Sequence, residues 1–317
     1  MTVALHAEVA VLGAGAVGLS MGAALARSGN EVTLLVRDTS RVAYPNRVTV
    51  TGPLRDAWSA PVLFTDHLDV KAGAAPELVL VAVPAHALVR ALELLPDPLP
   101  ASTVVVPLLN GIDHQAVLVS RYGDRVAAGA VRVEARRTAP GTVWQASLFC
   151  EVDLAASPRA ERVCEILLGS GLGAVLAQDA ENVLWRKLVL VAPLALATAA
   201  AGGDLAAVRR DPGLLEQLLA CCAESAAVAT AAGVPVDASR ALRLLRALPG
   251  RVSTSLERDF AVGGATELET YAGPILGMAA VHDIPVPATT VLVEALRSRG
   301  TGVKDYCNQA HPKREAT

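Results

Sequence analysis

Three glycines near the start of the chain, Gly13, Gly15 and Gly18, form a G-x-G-x-x-G with Ala14, Ala16 and Val17 between them. That spacing suits phosphate chemistry. The first glycine permits a tight turn, the second lets the backbone approach a pyrophosphate, and the third allows close helix–strand packing. The phosphates then rest on the open N–H groups of the helix that follows. A second feature stands at the tip of the next apolar run, Val36-Arg37-Asp38. An acid there would bind a ribose 2′-hydroxyl, whereas Arg37 can pair with a 2′-phosphate as a bidentate cation. NADP is therefore the favoured dinucleotide. Two alternatives stand beside it: Arg37 as a plain exposed loop cation, and Asp38 serving NAD. A third feature is Leu184-Trp185-Arg186-Lys187-Leu188, which sets a lysine near the start of an otherwise apolar helix. Read alone, that lysine could bury its stem along the helix and raise its head to water.

These residues need elements to position them, and the pattern supplies some. Val9 to Leu12 has strand length, a helical pattern runs from Ala16 to Ser28 and ends at Gly29-Asn30, and Glu31 to Val36 reads as a second strand. That is a βαβ opening of about 30 residues. The Thr49-Val50-Thr51-Gly52-Pro53 segment reads as a turn between short strands. Glu77 to Val83 is a continuous apolar strand closed by Pro84, as in a parallel sheet buried on both faces, with a helix expected from Ala85 to Leu95. Thr103 to Leu108 is the next strand, ending before the turn signal Asn110-Gly111. Val126 to Val133 and Val143 to Val152 read as later strands, with Pro140-Gly141 as a hairpin-type turn.

After Asp179 the texture changes to Ala- and Leu-rich helices. Asp179 can cap a helix through Trp185 and Lys187 towards Ala200. Others fit Pro212 to Ala232, Ala238 to Leu248, Thr266 to His282 and Ala288 to Arg297, before a polar tail from Lys304. The expected architecture is α/β: a Rossmann-type doubly wound domain over residues 1–178, then an all-α domain over 179–317 for substrate binding and dimerisation.

Composition narrows the function classes. Of 317 residues, 52% are hydrophobic and 3% aromatic, so Ala, Val and Leu must build a large core. A net charge of -3 without a Lys/Arg block argues against nucleic acid. The apolar run Leu188 to Gly203 falls short of the roughly 20 residues that span a bilayer and contains Pro193, so a buried helix is expected and no membrane partner. Five scattered cysteines without a C-x-x-C pair read as reduced thiols of a cytoplasmic protein, with no metal site. No signal peptide is evident at the start.

Taken in order, Gly13-x-Gly15-x-x-Gly18, Asn110-Gly111, Leu184-Trp185-Arg186-Lys187-Leu188 and Ser255…Asp259…Thr266-Glu267 resemble the motifs of the ketopantoate reductases, to about Arg297. The resemblance implies a helical second domain like that of the 6-phosphogluconate dehydrogenases, a homodimer, and reduction of 2-dehydropantoate to pantoate by NADPH in pantothenate biosynthesis. It makes Lys187 the general acid, Glu267 its assistant, and Asn110 and Ser255 substrate binders. Asn110 and Pro84 would also line the cofactor. The chemistry is coherent: hydride delivery puts negative charge on a carbonyl oxygen, and a lysine both stabilises that charge and completes the alcohol. Each residue also has a plainer role open to it. Glu267 could serve the helix dipole, Ser255 could cap a turn, and Asn110-Gly111 is a turn on any reading.

Departures from the pattern bear on the substrate. Val83-Pro84-Ala85-His86 stands where the family has a V-K-A lysine, and Val191 and Ala195 stand where it places asparagines facing the substrate. Such a pocket suits a less polar ketone, 2-oxo acid or imine of a specialised pathway. His86 could supply a donor near the nicotinamide or be purely structural. Ala82-Val83-Pro84-Ala85-His86-Ala87 is similar to a stretch of the glycerol-3-phosphate dehydrogenases, which reduce a phosphorylated ketone. A non-catalytic NADP(H) sensor is the other alternative.

Overall fold

Short, fully apolar runs separated by glycine and proline give buried strands, and that is what the first half of the chain builds. The computed structural model describes residues 6–37, 44–69 and 75–299. Within them the chain divides into two compact units, residues 1–187 and 188–317. The division falls inside the helix Ala180–Ala201.

In the first unit β1 (Glu8–Leu12) leads into the helix Ala16–Arg27 and then β2 (Glu31–Leu35). Gly29, with φ of 94°, ends that helix as anticipated, and Asn30 N–H reaches back to the Leu25 carbonyl at 3.2 Å. The strands β3 (Arg47–Thr51), β4 (Trp58–Pro61), β5 (Leu63–Thr65), β6 (Leu78–Val81) and β7 (Val104–Pro107) follow. The central sheet has the order β5-β2-β1-β6-β7, and its pairings are all parallel. Val9, Val11, Leu78, Leu80 and Val106 face one apolar layer, and Ala10, Leu12, Val79, Val81 and Val105 face the other. Both faces are covered, as continuous apolar strands require.

Later strands β8 (Gly129–Arg132), β9 (Ala135–Ala139), β10 (Thr142–Gln145), β11 (Glu151–Ala155) and β12 (Gly173–Ala177) make two smaller sheets, β4-β3-β10-β9 and β12-β11-β8. Gly141, with φ of 70°, turns the antiparallel β9–β10 pair at the expected Pro140-Gly141.

Three sequence expectations are corrected. Thr49 to Thr51 lies inside β3, and the chain leaves the strand only at Gly52. Val143 to Val152 is two strands in different sheets, joined by a loop whose Leu148 and Phe149 are exposed. The helix expected from Ala85 to Leu95 is three short pieces, Ala85–Ala87, Leu88–Ala91 and Leu92–Leu94. No side chain caps any of their starts, and i→i+3 bonds such as Ala87 N–H to the Pro84 carbonyl tighten the chain.

The helix Ala180–Ala201 starts on Asp179, whose carboxylate accepts from the Asn182 N–H at 2.8 Å. It is long and apolar enough to cross a membrane, yet most of it is buried in protein, and Pro193 sits within it without ending it. The second unit continues with helices Leu205–Arg210, Pro212–Ala231, Ala238–Ala247, Ser255–Val262, Leu268–Val281 and Pro287–Arg299. Cys150, Cys164, Cys221 and Cys222 are free thiols, while Cys307 and the tail lie outside the described residues.

Candidate active site

The glycine loop shows why no other residue fits at two of its positions. Gly13 has φ of 107°, and a Cβ there would meet the Val83 side chain at 2.7 Å and the Ala82 carbonyl at 2.8 Å. Its N–H bonds the Leu35 carbonyl at 3.0 Å, so the loop is pinned between neighbouring strands. A Cβ on Gly18 would fall onto the Gly13 carbonyl oxygen. Gly15 caps the helix, which opens with Ala16-Val17-Gly18 and has no acid in its first turn. Its positive end is therefore free of a competing carboxylate. A glycine loop packed this tightly against its strands, leading into a helix N-terminus without an acid, fits a dinucleotide pyrophosphate. Arg37 is exposed just past β2, while Asp38 is outside the described residues. Pro84, exposed beyond β6, starts the turn that carries exposed His86.

A second group in the same unit surrounds the loop after β7. Lys187 is half-buried, and its Nζ donates to the Leu109 carbonyl at 3.4 Å. Asn110 follows, half-buried, and Gly111 turns the chain with φ of 73°. His114, which the sequence reading passed over, begins the helix His114–Tyr122 and is buried. Its pKa is pushed down to about 4, first by burial and then by the Lys187 charge, with the Asn110 backbone pulling the other way. The fold thus gathers Lys187, Asn110 and a neutral imidazole.

The helical unit places Ser255 and Glu267 together through a third residue. Ser255 is the first residue of its helix; the cap is Thr254, whose hydroxyl accepts from the Glu257 N–H at 3.3 Å. Thr254 also meets the buried Thr198 hydroxyl at 2.9 Å, tying this turn to the Lys187 helix. The Ser255 hydroxyl pairs with the Tyr271 hydroxyl at 3.2 Å. Burial raises the Tyr271 pKa and the neighbouring Glu267 charge adds to the shift, so Tyr271 stays a phenol. Glu267 is buried and starts the helix Leu268–Val281 without capping it through its side chain. Tyr271, one turn on from Glu267, is the other residue missed; the i, i+4 spacing was its available signal. Val191 is half-buried and Ala195 fully buried, on the helical face that also carries Lys187.

Comparison with known proteins matches both halves of the chain. The family model described as Ketopantoate reductase PanE/ApbA matches residues 9–157, and its C-terminal counterpart matches residues 179–300. A 2-dehydropantoate 2-reductase of Halobacterium salinarum is 28% identical over 92% of this chain and 98% of its own. The crystal structure of a PanE/ApbA family ketopantoate reductase from Ralstonia eutropha JMP134 superposes with a TM-score of 0.80 at 26% identity, over 93% of this chain and 98% of that one. A D-mandelate dehydrogenase, solved with NADH and anilino(oxo)acetate, shares the fold with a TM-score of 0.79 at 20% identity over 93% of this chain and 98% of that one. The chain belongs to the ketopantoate reductase family, oxidoreductases that act on a CH–OH group.

Proposed function

We propose that this protein uses NADPH to reduce the carbonyl of a 2-oxo acid, 2-dehydropantoate being the first candidate, with Lys187 as the proton donor. The observation that carries the reading is Lys187 itself. It is the one lysine among the described residues, and it is held half-buried at the loop after β7, in the same unit as the glycine cradle. The family is one of NAD(P)H-dependent oxidoreductases.

Gly13, Gly15 and Gly18, with the N–H groups of Ala16 and Val17, hold the pyrophosphate. Arg37 takes the 2′-phosphate, which supports NADPH over NADH. When bound, the reduced nicotinamide supplies the hydride. Lys187 keeps its proton on Nζ, stabilises the negative charge that builds on the carbonyl oxygen, and gives that proton up to complete the alcohol. Asn110 and Ser255 orient the substrate, and Glu267 favours the charged form of the lysine. Pro84 lines the cofactor. The boundary we propose between cofactor and substrate domains is at residue 178/179, at the start of the helix Ala180–Ala201. We further place the protein as a homodimer in a reducing compartment, which the free thiols support.

A second reading concerns the substrate alone. Val191, half-buried, offers an alkyl group where an amide would meet a substrate hydroxyl, and fully buried Ala195 adds no amide behind it; each unmet hydroxyl in such a pocket costs about 1–3 kcal/mol. A 2-oxo acid with an apolar side chain satisfies that surface better, in keeping with the ligand of the D-mandelate dehydrogenase neighbour. The test is a panel of 2-oxo acids and ketones with NADPH and with NADH, followed by cofactor absorbance. Turnover of 2-dehydropantoate ahead of aryl and branched 2-oxo acids supports the first reading, and the reverse order supports the second. Oxidation of neither cofactor with any carbonyl would defeat both.

A further inference from the structure

His114 is only 4% exposed. Neither of its ring nitrogens has a well-aligned hydrogen-bond partner, although the Asn110 backbone lies close by. A neutral imidazole carries one donor and one acceptor, and leaving them unmet away from water costs free energy. A histidine kept only to fill space would be better replaced by an apolar residue of similar volume. The Lys187 ammonium is a charge that acts on this ring, and the ring stays neutral under its influence. The ammonium is already directed by the Leu109 carbonyl, at a distance near the outer limit for an N–H···O bond, 3.4 Å.

We propose that His114 is a positioning residue for Lys187: its unprotonated ring nitrogen accepts a hydrogen bond from the ammonium when the carbonyl substrate is bound, alongside the Leu109 carbonyl. Two acceptors on one ammonium fix two of its three N–H directions and so set the direction of the third. A neutral acceptor does this without taking the proton, because an imidazole whose pKa is held low is a poor base. The inference rests on the reading of Lys187 as proton donor.

The test compares the wild type with His114→Leu, His114→Gln and Lys187→Ala, using NADPH and the 2-oxo acid the wild type turns over fastest. His114→Leu removes the acceptor and keeps the volume; the expected result is a kcat lower by at least about tenfold with KM within about threefold. His114→Gln, whose amide oxygen can accept, recovers most of that loss. A kcat for His114→Leu within about twofold of wild type overturns the proposal, as does an equal loss in the Leu and Gln variants. If His114→Leu does not fold, His114→Met takes its place. Lys187→Ala separates the two ideas: if it stays active the proton-donor reading falls, and if it alone is inactive only the positioning role falls.

A second readout does not depend on turnover. The chain has four lysines, Lys71, Lys187, Lys304 and Lys313, so acetylation by acetic anhydride can be followed at each by peptide mass spectrometry. Measured with NADP+ and a saturating 2-oxo acid, a pair that fills the site without turnover, loss of the acceptor destabilises the ammonium, and the Lys187 amine should titrate at least about half a unit lower in His114→Leu than in wild type. An unchanged titration contradicts the proposal even if no carbonyl tested is reduced.

Discussion

His114 has a consequence for stability that is independent of catalysis. Its pKa falls from an ordinary value near 6.5 to about 4 in the folded protein. A group held below its unfolded value contributes its full stability above pH 6.5, where both states are neutral. The unfolded chain then takes up the proton first as the pH drops. Stability is therefore lost from about pH 6.5 down to about pH 4 and levels off below that, by at most about 3 kcal/mol. Urea denaturation across this window should show the loss in the wild type and a clearly smaller slope in His114→Gln; equal slopes would contradict the buried neutral ring. Arg37 makes a different prediction. A charge-assisted contact with a 2′-phosphate contributes about 1.5–3 kcal/mol, so Arg37→Ala should raise the KM for NADPH roughly 10- to 100-fold and leave that for NADH within about threefold. Equal changes for both cofactors would return Arg37 to the role of an exposed cation.

At the scale of elements, the glycine loop is the most constrained piece of the fold. Adding a methyl group to Gly18 drives it into the Gly13 carbonyl, backbone against backbone, so the strand and helix must separate. Gly18→Ala should melt at lower temperature than Gly15→Ala, whose added Cβ finds the Ala82 carbonyl at an ordinary 3.8 Å. If both variants melt alike, the packing account is wrong. This loop was legible in the sequence because local spacing alone dictates it, and so were β1, β6 and the capped helix from Asp179. The Val143 to Val152 stretch was not, since Leu148 and Phe149 are apolar yet exposed, and hydrophobicity could not distinguish a loop from a continuing strand. The Ser255 helix starts on Thr254-Ser255-Leu256-Glu257 with Thr254 as its cap, whereas the sequence reading weighed for Ser255 only a substrate role and a turn cap. The Ser157-Pro158 start of the helix Pro158–Gly169, a serine cap followed by proline, is equally local. Neither His114 nor Tyr271 announces itself in that way: burial of the ring beside Lys187, or of a phenol against Ser255, arises only from tertiary packing.

For the molecule as a whole, the first unit carries both the glycine cradle and the lysine, and the helical unit carries Ser255, Tyr271 and Glu267. Family membership follows from matches that run through both units, so the reaction class does not hang on the widespread G-x-G-x-x-G alone. The proposed substrate hangs on fewer residues, Val191, Ala195 and the Pro84 turn. The central claim is that the Lys187 ammonium donates the proton that completes carbonyl reduction. Its most direct test is the steady-state rate of Lys187→Ala with saturating NADPH and the preferred 2-oxo acid, beside a fluorescence titration of NADPH. Loss of a general acid predicts a kcat lower by about 10²- to 10⁴-fold with cofactor affinity unchanged. A kcat within about threefold of wild type would contradict it.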